Sequence, residues 1–256
     1  MTSETVTMTH SMINEHWMLG HAWVIPALMA LSFVLILFFG KRLPKGGSEI
    51  GIVAIGASFL MACWAVVQWI QHVDEMMGGE GGSALKHLGK AFTMHGGETA
   101  EVVIHPIMDS FTWWSNGLVK FDIGIQIDGL AVMMLFVVTL ISLLVHVYST
   151  AYMKDDVRFT YFYAALSLFT ASMLVLVIAN NSLMLLSGWE LVGLCSFMLI
   201  GHWWEEKPNT NAALKAFLTT RTGDIGLLLG VIVTFFAAGR TFNIIRINEA
   251  ALNGRG

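Results

Sequence analysis

The chain has 256 residues, 55% of them hydrophobic and only 12% charged, with a mean hydropathy of +0.67. A soluble domain carries about 25% charged residues, so these numbers argue against a water-soluble fold. The net charge of −4 argues against a nucleic-acid partner. Its two cysteines, Cys63 and Cys195, lie in apolar stretches without partners at metal spacing, which argues against a disulfide framework or a zinc site.

A membrane-spanning helix needs about 20 mostly apolar residues. The sequence predicts an all-α polytopic membrane protein, a single membrane domain over 1–256, with spans near 22–40, 50–70, 129–148, 159–179, 182–204 and 212–238. The runs are too long for barrel strands and do not alternate. Pro26 falls near the first turn of the first span, where proline is tolerated. The N-terminus lacks the basic start and cleavage site of a secretory signal.

Between the second and third spans lies a polar loop, 71–128, expected outside the cytoplasm. Its 76–101 part is glycine-rich and is expected to be flexible, and no Lys-Ser or Lys-Thr follows the glycines to make a phosphate loop. From about 110 to 127, alternating apolar runs flank Asn116-Gly117, which predicts a β-hairpin on the membrane surface. Its Phe111, Trp113 and Trp114 suit the interface.

Basic residues mark the cytoplasmic side. Lys41, Arg42 and Lys45 follow the first span, Lys154 and Arg158 the third, and Lys207 the fifth. Six alternating spans put these three loops on one side, with the N-terminus outside. The 71–128 loop has Lys86, Lys90 and Lys120 against eight acids, in keeping with the outer side. Arg240 and Arg246 run against the rule.

A charge at the bilayer centre costs about 2.5–3.5 kcal/mol on insertion scales, so charged residues within spans mark candidate sites. Glu190 lies deep in the fifth span between Gly188 and Gly193, which are expected to allow close helix contact. It is the leading candidate for a protonatable carboxylate. Lys215, Arg221 and Asp224 are expected at the start of the sixth span. Arg221 and Asp224, three residues apart, share a face and can pair. His146, near the cytoplasmic end of the third span, has a side chain suited to proton relay. For each, the plainer alternative is structural: a hydrogen-bonded acid, a salt bridge, a snorkelling lysine, a packing histidine. Glu101 and His105 are four apart, too little for a metal site, and one deep histidine gives poor support for a heme pair.

Three segments carry a family likeness. They are Asp128 through Tyr148, the run Gly188-Trp189-Glu190-Leu191-Val192-Gly193-Leu194-Cys195-Ser196 onward to Gly201, and Lys215-Ala216-Phe217 through Arg221-Thr222-Gly223-Asp224. The chain resembles the subunit L (chain 5) family of NADH:quinone oxidoreductase, respiratory complex I, from about Phe111 to Phe242. The resemblance implies an antiporter-like bundle of inverted five-helix repeats, with a surface hairpin between its second and third helices. It implies that Glu190 is the fifth-helix glutamate that pairs with a seventh-helix lysine, and that Arg221, Asp224 and Lys215 are sixth-helix charges of the proton channel. His202 stands where an aromatic is expected. Family members are more than twice this long, so the partner lysine is expected beyond Gly256.

The resemblance further implies proton translocation coupled to NADH oxidation by quinone in a bacterial inner membrane, within the lipid bilayer and beside other membrane-arm subunits of complex I. No nicotinamide, flavin or iron–sulfur motif appears in the chain. NADH, FMN, iron–sulfur clusters and quinone are therefore expected in partner subunits, with no cofactor or metal here. Two alternatives stand beside this reading. One is the large subunit of a multisubunit cation/proton antiporter; the other is a truncated structural or assembly piece without transport of its own.

Overall fold

The computed structural model describes residues 17–76, 106–116, 120–252 and 254. Of the expected flexible segment 76–101, all but Met76, which ends a helix, lies outside them, as do the Glu101–His105 pair and residues 117–119 of the expected hairpin.

A short helix α1 (Trp17–Gly20) leads into α2 (Val24–Phe39), and a 3₁₀ turn (Gly40–Arg42) leads towards α3 (Ser48–Met76). Strands β1 (Ile107–Ser115) and β2 (Lys120–Ile127) follow, then α4 (Gly129–Tyr152), α5 (Phe159–Val177), α6 (Ser182–Ile200), α7 (Lys207–Ala237) and α8 (Ile244–Leu252). Six of these helices, α2 to α7, are long and apolar enough to cross a membrane.

The helices differ from the apolar runs mainly at their ends. α3 runs six residues past Ile70, and α6 stops at Ile200 because 201–206 turn. The larger difference is α7. It begins at Lys207 rather than near 212, so Lys215 lies two turns inside the helix rather than at its start. The polar opening Lys207-Pro208-Asn209-Thr210-Asn211 reads as loop by hydropathy. Proline in the first turn nevertheless suits a helix start, since its N–H would be unsatisfied there anyway.

α5 is the centre of the bundle. It packs against α2, α4 and α6, while α3 packs against α2 and α4, and α7 packs on α6 at the edge. Small and hydroxyl residues of α5 (Ala164, Ala165, Ser167, Thr170, Ala171, Ser172) are buried, which lets neighbours approach closely. The opposite condition holds on α7. Its Ile225, Leu228, Leu229, Ile232, Val233 and Phe236 are exposed, an apolar face suited to lipid or to further helices.

The hairpin is antiparallel, pairing Ile107 with Ile127 through Ser115 with Lys120, with a bulge at Trp113. Ile107, Ile125 and Ile127 point into the core. Phe111, Trp113 and Trp114 remain exposed, as aromatic residues at a membrane interface do. Gly124 is required where it stands, because a Cβ there would collide with the Asp109 carbonyl and the Asn180 side chain. Two side chains fix the helix starts beside it. Asp128 accepts from the Ala131 N–H at 2.7 Å, and Asn181 accepts from the Met184 N–H at 2.7 Å.

The loops separate into two faces. Gly46 touches Phe159, Arg158 bonds Glu205, and Tyr152 meets Trp203, so the loops after α2, α4 and α6 share one face. On the other face, β2 meets the α5–α6 turn through Ile125 and Ala179. That turn meets the α7–α8 loop through Asn181 and Asn243. Arg240 and Arg246 therefore lie on the hairpin face, away from the other basic loops.

Candidate functional site: a charged cluster between two membrane helices

Glu190 sits midway along α6, and Arg221 and Asp224 sit midway along α7. Two glycines let this region pack tightly. At Gly188 a Cβ would stand 3.0 to 3.1 Å from the backbone of Leu176, so α6 presses against α5. At Gly193 a Cβ would lie 3.8 Å from Nη2 of Arg221, so the guanidinium passes over the glycine.

Arg221 Nη1 pairs directly with Glu190 Oε2. The same nitrogen lies 3.5 Å from Asp224 Oδ2, one helical turn along. Trp189 completes the group by donating its indole N–H to Asp224 Oδ1 at 2.7 Å. Phe217 lies under the guanidinium, 4.5 Å from its centre. The Asp224 side chain is 11% exposed, against 32% for Arg221 and 35% for Glu190. One guanidinium thus serves two carboxylates. With all three ionised the cluster carries a net charge of −1, and uptake of one proton makes it neutral. In a membrane that difference is large, because uncompensated charge is costly there.

The cation facing Glu190 among the described residues is Arg221, within this chain. The reason is geometric: α7 lies against α6, so one face of each meets the other. The seventh-helix lysine that the resemblance implies would stand beside this pair as a further cation.

The structure does not bring every candidate together. Lys215 is exposed on α7 and makes no ion pair among the described residues. His146 is fully buried elsewhere, between α3, α4 and α5. Its Nδ1 lies 2.8 Å from the Ser142 carbonyl, and Ser142 Oγ lies 2.6 Å from Thr170 Oγ1. Tyr163 donates its hydroxyl to the His146 carbonyl at 2.7 Å, while Nε2 of His146 has no partner among the described residues.

Two features escaped the sequence. Trp189 is one; an indole N–H inside an apolar span needs an acceptor, and that was the available signal. The other is a staple between the α4–α5 and α6–α7 loops. Asp156 accepts from the Trp203 indole at 2.8 Å and the Arg158 N–H at 2.7 Å, and lies 3.3 Å from His202 Nε2. Burial pushes the Asp156 carboxyl upward, but these donors outweigh it and hold it below the ordinary value. Arg158 grips Glu205 with two bonds, at 2.6 and 3.0 Å, and stacks over Trp204. Its hydrogen bond holds Glu205 low as well. His202, the expected aromatic position, is a buried member of this staple.

The fold and the cluster together define a multi-pass helical membrane protein with an ion-paired carboxylate group inside its spans. Residues 113–163 match the family of the N-terminus of chain 5 of NADH-ubiquinone oxidoreductase (complex I), and residues 179–255 match the transmembrane family of NADH:quinone oxidoreductase and Mrp antiporters. The chain belongs to the complex I subunit L/chain 5 family of antiporter-like membrane subunits.

F(420)H(2) dehydrogenase subunit L of Methanosarcina mazei is 38% identical over 212 residues, covering 83% of this chain and 26% of that protein. NADH-quinone oxidoreductase subunit L of Mycobacterium tuberculosis is 33% identical over 219 residues, covering 86% and 30%. NAD(P)H-quinone oxidoreductase chain 5 of Synechocystis is 46% identical over 137 residues, covering 54% and 20%. The chain therefore spans less than a third of the length of these curated relatives. In fold it is similar to a chain of the archaeal membrane-bound sulfane sulfur reductase, with a TM-score of 0.67 at 14% identity over 91% of this chain and 40% of that one. It is also similar to a chain of the Mrp complex of Dietzia, with a TM-score of 0.60 at 21% identity over 88% and 20%.

Proposed function

We propose that this chain forms part of a proton-translocating membrane-arm subunit of an NADH:quinone oxidoreductase. The observation that carries the reading is one guanidinium shared between two carboxylates inside membrane helices. Such a group has two charge states that differ by one proton. Which carboxylate holds Arg221 decides which one is free to take that proton. Swinging Arg221 from Glu190 towards Asp224 would release Glu190 for protonation, and the return would expel the proton. Moving one charge against 100 mV costs about 2.3 kcal/mol, which the redox reaction in partner subunits would supply by driving the swing of Arg221.

The other candidates fill supporting roles. Lys215 offers a further cation on the same helix, and His146 with Ser142 and Thr170 forms a separate polar file that can relay a proton. Redox chemistry belongs to partner subunits carrying FMN and iron–sulfur clusters, where NADH is oxidised and quinone reduced. The subunit sits in a bacterial inner membrane beside other membrane-arm subunits, with the N-terminal end of α2 on the outer side and the loops after α2, α4 and α6 in the cytoplasm.

Inverted vesicles carrying the native assembly test this. Glu190→Gln should cut NADH-driven proton uptake sharply. Unchanged uptake per NADH oxidised would overturn the proposal. The transmembrane family also takes in Mrp antiporters. Cation-driven proton exchange without NADH oxidation in the same vesicles would favour that second reading.

A further inference from the structure

Three cations meet on the hairpin face without an ion-paired carboxylate among the described residues. Lys120 opens β2, Arg240 follows α7, and Arg246 lies in the first turn of α8. All three line one cleft of about 200 Å³, together with Asp122, Asn180 and Thr241. No ion pair joins any of them to a carboxylate among the described residues. Asp122 is the one acid in the lining, and its Oδ1 accepts the Thr112 hydroxyl at 2.6 Å. The lining therefore carries a surplus of two positive charges.

The cleft is held by backbone bonds rather than by loose side chains. The Ser182 N–H donates to the Phe242 carbonyl at 2.9 Å, and the Ile244 N–H donates to the Asn180 carbonyl at 3.2 Å. Asn181 donates to the Asp122 carbonyl at 2.7 Å. Arg240 is held at φ 65°, a left-handed conformation that a bulky residue adopts rarely. At the start of α8, Asn243 Oδ1 accepts the Arg246 N–H at 3.1 Å, which fixes the backbone of Arg246 beside the cleft.

Two further observations indicate where the anion comes from. α8 is amphipathic: Ile244, Ile247 and Ala251 share one side, while Arg246 and Glu249 share another. Such a helix is suited to the membrane interface at headgroup level. Arg240 and Arg246 also stand on the face opposite the other basic loops, against the usual distribution of positive charge. A bound anion would offset that surplus.

We propose that this cleft binds a phosphate group, presented at the interface by an anionic phospholipid headgroup or taken up as free phosphate. The test uses the intact native protein in nanodiscs of phosphatidylglycerol or phosphatidylcholine, and in detergent with inorganic phosphate. Bound lipid is read by native mass spectrometry, and stabilisation by thermal unfolding. Retention of phosphatidylglycerol, or stabilisation by inorganic phosphate alone, supports the site and assigns its source. The double variant Arg240→Asn, Arg246→Gln should bind about thirtyfold more weakly, the loss of two basic residues at an anionic surface. Asparagine at 240 tolerates the left-handed backbone, so the loop keeps its shape. Binding of neither probe, or equal weakening by the control pair Lys41→Gln, Arg42→Gln on the opposite face, overturns the proposal.

Discussion

Arg221 balances two carboxylates, so its removal is more harmful than removal of either acid. Arg221→Leu leaves Glu190 and Asp224 facing each other with no cation, and breaking one side of such a group is strongly destabilising. We expect lowered abundance of the assembled protein, measurable by quantitative blotting of membranes. Adding Glu190→Gln to Arg221→Leu should restore abundance without restoring proton transport. Much of this cluster was legible in the sequence. Glu190 is costly in an apolar span, and Arg221 and Asp224 stand at pairing distance along one helix. Which cation faces Glu190 was not legible, because that depends on how α7 is rotated against α6. The same reason hid the bond from Trp189 to Asp224. The Asp156 staple makes a pH prediction. Its carboxyl is held below the ordinary value, so its contribution is present above the unfolded value near 4 and is lost as pH falls through the folded value. Asp156→Asn should therefore speed hydrogen exchange in 153–158 and 201–206 at pH 7, and the difference from wild type should vanish in strong acid.

At the scale of elements, the tight contacts are carried by small or capping residues. Gly188→Leu would drive a side chain into the Leu176 backbone, and overpacking of this kind costs about 1–3 kcal/mol. Separation of α5 from α6 would also shift Glu190, so thermal stability and proton transport should fall together. Asn181 does two jobs, capping α6 and donating to the Asp122 carbonyl of β2. Asn181→Ala should cost about 1–2 kcal/mol and raise hydrogen exchange in 120–127. Hydropathy located the spans well and their ends poorly. The polar start of α7 was missed because helix formation there depends on backbone bonding and Pro208, neither of which hydropathy measures. The hairpin was legible from Asn116-Gly117 and the flanking alternation. Its docking through Ile125 against Ala179 was not, because that contact joins segments distant in sequence.

For the whole molecule, the two loop faces give a topology that labelling can check. Single cysteines at Lys45 and Asp155 should react with an impermeant maleimide from one side of sealed vesicles, and those at Lys120 and Arg240 from the other. The three basic loops do share one face, yet the charge rule gave no account of Arg240 and Arg246 on the other. The cluster itself lies at the α6–α7 edge of the bundle, where a third of the Glu190 and Arg221 side chains stays exposed. Further protein packed on that edge would tighten the pair by excluding water. Infrared difference spectroscopy of the intact assembly, resting against turning over, tests most directly whether this cluster takes up a proton. We predict a protonated-carboxyl band that shifts in deuterium oxide and disappears in Glu190→Gln, Asp224→Asn. An identical carboxyl region in wild type and the double variant would contradict the account.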